Sequence, residues 1–224
     1  MQRYLQQLAL FRAIPPRERD ALAQAAVVSR FRKGDTIFEE GQSAECVWII
    51  RQGCVYLVKR TVHGGRVTIF VMTPSEAICG VSAFEHGTYS AGAMAATDAQ
   101  LIKIPAARFA SLLDRYPAFG KHVLLTCCHR IRHMADSISL AQAPVEQRIA
   151  HVLLRLSATL GKEIAITHHE LARMVGARWE TSIRVLSSMK RHGLVTSSRG
   201  KITVLASHKL RALLRHNGFD ARAS

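Results

Sequence analysis

The stretch THHELARMVGARWETSIRVLSSMKRHG, Thr167–Gly193, decides how this chain is read. Thr167 followed three residues later by Glu170 is a capping box, in which each side chain accepts a hydrogen bond from the other residue's backbone N–H, so a helix starts here. Leu171, Met174 and Val175 fall on one face of that short helix, and Gly176 permits a tight turn. A second helix opens near Ala177 or Arg178 and buries Val185, Leu186 and Met189. It stops at Gly193, after Lys190, Arg191 and His192, cations suited to the negative end of a helix. That is the spacing of a helix-turn-helix. The first turn of its second helix carries Arg178, Trp179, Glu180, Ile183 and Arg184, and side chains so placed reach base edges when the helix lies in a major groove. Arg184 can fork onto guanine and Glu180 can accept from the amino group of cytosine, while Arg178 suits a phosphate. Trp179 can stack on a sugar, touch a thymine methyl or cover the turn. Thr167, His168 and His169 stand at a helix start where a DNA backbone would pass.

The flanking residues extend the pattern. In LVTSSRGKITVL two strands surround Ser197 to Gly200 and read as a wing carrying Arg199 and Lys201. The chain holds 31 Lys plus Arg against 16 Asp plus Glu, a formal charge of +15, and so large a surplus answers a polyanion. Divided after Ala143, the chain has 17 cations and 11 anions before the cut, net +6, and 14 cations and 5 anions after it, net +9 in barely half the length. Double-stranded DNA is therefore the partner expected of the C-terminal part.

Upstream, Leu124, Cys127, Ile131, Met134, Ile138 and Ala141 recur at alternating steps of 3 and 4, a heptad seam on a helix from Pro117 to Ala143. One face of this helix wants a partner, and a second copy of the chain fits it. Pro144 then suits the start of another helix, Val145 to about Leu160, and Ala141 to Pro144 is a hinge. Between Val28 and Ile104 runs such as CVWII, CVYLVK and RVTIFVM, bounded by turn signals including Gly64-Gly65, read as strands of an antiparallel roll or barrel. Two short helices precede it, the second begun by Pro15-Pro16. The fold class expected is α+β in three parts: a roll over residues 1–116, a dimerisation helix with hinge over 117–143, and a winged helix-turn-helix over 144–224.

Composition also excludes. No apolar run approaches the roughly 18 residues of a membrane span, and the broken apolar start MQRYLQQLALFRAIPP makes no signal sequence, so a cytoplasmic location is expected. Cys46, Cys54, Cys79, Cys127 and Cys128 contain no CxxC pair and read as small reduced residues. His122, His129 and His133 share a helix face but have no carboxylate or cysteine in register, so no metal site is assigned. A cupin-like metalloprotein would need several histidines inside the roll, where only His63 and His86 occur, both beside glycines. No catalytic constellation emerges, and no enzyme is expected.

Taken together, KGDTIFEEGQSAECVWIIRQGCVYLV, with Gly34-Asp35, Glu40-Gly41 and Gly53, and VGARWETSIRVLSSMKRHGLV, with Glu180 and Arg184 as an E-x-x-x-R reading helix, resemble the cyclic-AMP receptor protein and fumarate-nitrate reduction regulator family of bacterial transcription factors. The resemblance covers Leu8 to Leu210. It implies a homodimer paired along Pro117 to Ala143, a cyclic-nucleotide-binding-like sensor roll, two heads on a pseudo-palindromic operator, and RNA polymerase as a further partner. The chain departs from the family in its sensor. Cys79, Gly80 and Val81 stand where cyclic-nucleotide members place a glutamate on the ribose, and Tyr89 or Ser90 where they place an arginine on the phosphate, which argues against cyclic AMP. No cysteine precedes Cys46, which argues against the family's iron–sulfur cluster. The family's gas sensors take a haem ligand from the turn that holds Cys79, so haem stays open, as do a thiol-redox role for Cys127 at the seam and a regulator that needs no ligand.

Overall fold

The computed structural model describes residues 2–62, 64–78 and 87–215. They form two compact units, Met1–His133 and Met134–Ser224. The first begins with α1 (Gln2–Gln7), a 3₁₀ turn (Ala9–Phe11) and α2 (Pro16–Ala25), whose first residue is the proline the sequence had assigned to it. Strands β1 (Val27–Phe31), β2 (Thr36–Phe38), β3 (Cys46–Gln52), β4 (Val55–Arg60), β5 (Arg66–Met72), β6 (Ala77–Ile78), β7 (Gly92–Ala95) and β8 (Ala99–Pro105) follow. They make two antiparallel sheets, in the orders β1-β8-β3-β6 and β2-β7-β4-β5.

Strand β3 explains why CVWII is apolar throughout instead of alternating. Successive side chains leave a strand on opposite faces, and here both faces are covered. Trp48 and Ile50 enter the core of the roll with Phe38, Leu57, Met72 and Leu101. Val47 and Ile49 enter a second core, formed with Leu5, Phe11, Leu22 and Phe109 from the helices. The turn after β3 needs a glycine at Gly53, which has φ +81°, and an added Cβ would lie 2.3 Å from Asp98 O.

Inside the roll the Tyr89 ring stacks on Phe38 at 3.9 Å, and its hydroxyl accepts from Trp48 Nε1 at 3.1 Å while donating to Cys46 O at 2.9 Å. Tyr89 is 3% exposed. Tyr89, an effector candidate by its place in the family pattern, is thus an aromatic residue of the roll interior, fixed at both ends of its hydroxyl. Cys79, the other effector candidate, lies outside the described residues, as do His63 and His86. Burial pushes the thiols of Cys46 and Cys54 up from their ordinary value, in keeping with reduced core residues.

Helix α3 (Ala106–Arg115) is tied to α2 by a two-pronged ion pair, Arg115 to Glu18 at 2.8 and 3.0 Å, which holds the Glu18 carboxyl below the usual carboxylate range. Helix α4 (Pro117–Leu140) then starts on Phe119, buried against Phe11 and Phe109. It ends three residues earlier than expected. Ala141 and Ala143 donate to Ile138 O and Leu140 O in tight turns, because the residue before Pro144 is biased away from helical backbone. Ala141 thus lies one residue beyond the helix.

The second unit continues with α5 (Val145–Leu160), β9 (Glu163–Ile164), α6 (His168–Met174), α7 (Trp179–Arg191), β10 (Val195–Ser198), β11 (Lys201–Val204) and α8 (Ser207–Arg215). Its sheet has the order β10-β11-β9. Ile149, Leu153, Leu171, Leu186, Met189, Ile202 and Leu210 are buried in its interior.

Replacing Tyr89 by Phe keeps the ring but strands a buried indole N–H and a buried carbonyl. The roll is expected to lose about 1–3 kcal/mol, read as a lower urea midpoint at unchanged slope by near-ultraviolet circular dichroism.

Candidate nucleic-acid interface

Both halves of the capping box form. Thr167 Oγ1 accepts from Glu170 N at 3.2 Å, and Glu170 Oε2 accepts from Thr167 N at 2.6 Å. The box starts α6 with Leu171, Ala172 and Val175 turned inward, and Gly176, at φ +58°, closes it in the left-handed conformation that favours glycine. Helix α7 begins at Trp179 with Arg178 as its N-cap. Ser182, fully buried, Leu186 and Met189 hold its inner face, and Ser182 Oγ donates to Arg178 O at 3.2 Å. Val185, expected in the core, is half-buried.

The outer face carries the residues that the sequence had picked out. Arg178, Trp179, Glu180 and Arg184 are exposed, and Ile183 is half-buried beside them. The indole of Trp179 does not stand free: the His169 ring lies parallel to it, with centroids 4.7 Å apart and planes 1° from coplanar. This contact links the start of α6 to the start of α7 across the turn. Sequence had no signal for it, since the two rings are ten residues apart and only the angle between the helices brings them together. Thr167 and His168 are half-buried, the first with its hydroxyl in the cap and the second with Nε2 sheltered from solvent. The exposed ring at this helix start is therefore His169, not His168.

The wing forms with Val195 to Ser198 paired against Val204 to Lys201, and Arg199 is exposed at its tip. Lys201 is ion-paired through Nζ with Glu163 of β9, a two-residue strand too short for the sequence pattern to reveal. Arg199 is thus the wing cation without an ion pair among the described residues. On α4, Leu124, Ile131, Met134 and Ile138 are exposed, each by 45% or more, together with Leu125. Cys127 departs from this stripe. It is half-buried and lines a hollow of about 210 Å³ with Ala9, Leu10, Phe109 and Arg130. Its neighbour Cys128 is half-buried as well. Among the described residues no group of three or more His, Cys, Asp or Glu could hold a metal, and no helix is long and apolar enough to cross a membrane.

Residues 28–116 match the model of the cyclic nucleotide-binding domain, and residues 147–213 match that of the Crp-like helix-turn-helix domain. The chain belongs to the cyclic-AMP receptor protein and fumarate-nitrate reduction regulator (CRP/FNR) family. It is 28% identical over 199 residues to a cyclic AMP receptor protein of Thermus thermophilus, spanning 87% of this chain and 91% of that one. It is 25% identical over 191 residues to the transcriptional activator protein Anr of Pseudomonas aeruginosa, across 81% and 78% of the two chains. Among solved structures it resembles FixK2 of Bradyrhizobium japonicum, with a TM-score of 0.75 at 20% identity, covering 89% of this chain and 99% of that one, a likeness of fold. These CRP/FNR relatives are transcription regulators, which replaces the cupin-like alternative and agrees with the expectation of a non-enzymatic, DNA-binding regulator built from a nucleotide-binding-like roll, a long helix and a winged head.

Proposed function

We propose that this CRP/FNR regulator acts as a homodimer reading two half-sites of a pseudo-palindromic operator about one DNA turn apart, in response to a signal other than cyclic AMP. The observation that carries the proposal is the outer face of α7, where Trp179, Glu180 and Arg184 project from the N-terminal half of a helix whose opposite side is locked by Ser182, Leu186 and Met189. Arg184 forks onto a guanine edge, and Glu180 accepts from a cytosine amino group. Trp179, backed by His169, offers an indole held in one orientation, suited to an apolar contact with a thymine methyl. Arg178 and Arg199 hold phosphates and carry no sequence information. With the operator occupied, RNA polymerase is the further partner proposed.

Dimerisation is proposed along α4. Leu124, Ile131 and Ile138 recur every seven residues, and so large an exposed apolar stripe calls for a cover that a second copy supplies. The roll then biases the pairing of the two α4 helices, and the heads change their match to the half-sites by a shift in population. The departure from cyclic AMP rests on the absence of the family's ribose-holding glutamate at Cys79, Gly80 and Val81, and of its phosphate-holding arginine at Tyr89, whose ring is buried among Phe38 and Trp48.

Operators selected from genomic fragments by the purified protein test the reading. Cyclic AMP at saturating concentration should leave operator affinity unchanged in fluorescence anisotropy; a tightening would overturn the sensor assignment.

Arg184→Ala should cost about 1–3 kcal/mol and relax preference at one position of each half-site. Arg199→Ala should instead weaken all sequences alike and make the slope of log affinity against log salt shallower by roughly one unit per subunit. Competition binding on a half-site library separates the two, and the reverse assignment would mean that the head docks differently.

Burying each isoleucine of the stripe against a second copy would contribute about 1.5–3 kcal/mol. Ile131→Asp with Ile138→Asp should therefore give monomers by light scattering and abolish tight operator binding. Persistent dimers would place the interface elsewhere.

A further inference from the structure

The turn that aims α7 is held from outside the helix-turn-helix. Ala177 N donates to Ala172 O at 3.1 Å, the six-to-one bond of a Schellman turn with Gly176 in its left-handed position. The carbonyls of the turn itself, those of Val175 and Gly176, lie at the negative end of α6. Both meet the same cation. Arg148 Nη1 donates to Val175 O at 2.8 Å and lies 3.4 Å from Gly176 O. Arg148 stands in the first turn of α5, its N–H bonded to Pro144 O at 3.2 Å, and its Nε is sheltered from solvent. Two residues after Gly176 comes Arg178, the N-cap of α7.

We propose that Arg148 is a positioning residue for sequence reading: it fastens the helix-turn-helix turn to the first turn of α5 and so fixes the direction in which α7 presents Trp179, Glu180 and Arg184. The argument follows from how the two kinds of DNA contact tolerate error. Hydrogen bonds to base edges weaken steeply when distance and angle drift, so a turn freed to rock spoils them. Long, flexible cations on phosphates adjust to the same drift. Losing Arg148 therefore removes selectivity rather than attraction. A guanidinium committed to a backbone carbonyl inside its own unit is also not a phosphate contact, which separates its signature from that of Arg199.

The inference deepens the reading of α7 proposed above and rests on it. The test uses the full chain and measures affinity for a selected operator and for a scrambled duplex over a salt series. Arg148→Met should weaken operator binding about tenfold or more, as expected for a lost charge-assisted hydrogen bond. It should change scrambled binding less than about twofold and leave the salt slope unaltered, since no phosphate contact is lost. Arg148→Lys, which keeps a charge but not the fork, should fall between the two. Equal loss on both duplexes, a salt slope shallower by about one unit, or unchanged selectivity would each overturn the assignment. Should Arg148→Met fail to fold, Arg148→Lys decides alone: reduced selectivity at an unchanged salt slope supports the role, and wild-type selectivity overturns it. Arg184→Ala serves as the control. If it leaves base preference intact, the reading of α7 fails; if it relaxes preference while Arg148→Met does not, only the role of Arg148 fails.

Discussion

Strand β3 is the wall on which the first unit depends. Its five leading residues are buried on both sides, Trp48 and Ile50 toward the roll and Val47 and Ile49 toward the helices, so neither core exists without it. The consequence reaches further than the sheet. Phe119, at the start of α4, is packed in the helical core behind that wall, against Phe11 and Phe109. The helix proposed to pair the two subunits is thereby rooted in the same apolar layer that backs the roll. Arg130 adds a second tether lower down, donating from Nη2 to Ala77 O of β6 at 2.5 Å. Strands β3 and β6 are thus joined to α4 through packed side chains and one hydrogen bond, with no intervening loop.

Much of this was legible in the residues. Strong local signals each carry their own cause: the reciprocal cap at Thr167 and Glu170, the glycine at 176, the paired prolines at 15 and 16, the apolar run at 46–50. What failed to show was of another kind. The three-residue shortening of α4 came from a proline acting backward on its neighbours, against a heptad pattern that extended smoothly to Ala141. Tyr89 sat at a position that family comparison marks for ligand contact, yet its neighbours in space, Phe38, Cys46 and Trp48, are at least 41 residues distant in sequence. Periodicity cannot report which residues a chain brings together over such separations. The same holds for β9, whose two residues become a strand only because β11 offers them an edge.

Within the winged head the division of labour among cations also depends on partners that sequence conceals. Lys201 and Arg199 are two residues apart on the wing, but one is drawn to Glu163 and the other is left at the tip. Arg148 and Arg178 are equally basic on paper, yet one serves carbonyls of its own fold while the other stands exposed at the N-cap position of α7. A net charge of +15 therefore overstates the positive surface that a phosphate backbone can find.

The two tryptophans of the chain divide between its two units, Trp48 buried at 7% exposure inside the roll and Trp179 on the outer face of the reading helix at 42%. Their surroundings differ in kind: one indole donates to a tyrosine hydroxyl in an apolar interior, the other lies flat against an imidazole in contact with water. Their emission is accordingly separable by wavelength and by access to a dissolved quencher. The molecule thus carries one native tryptophan in the roll and one on the winged head, so a change in either unit, and the timing of one relative to the other, can be followed without attaching a label.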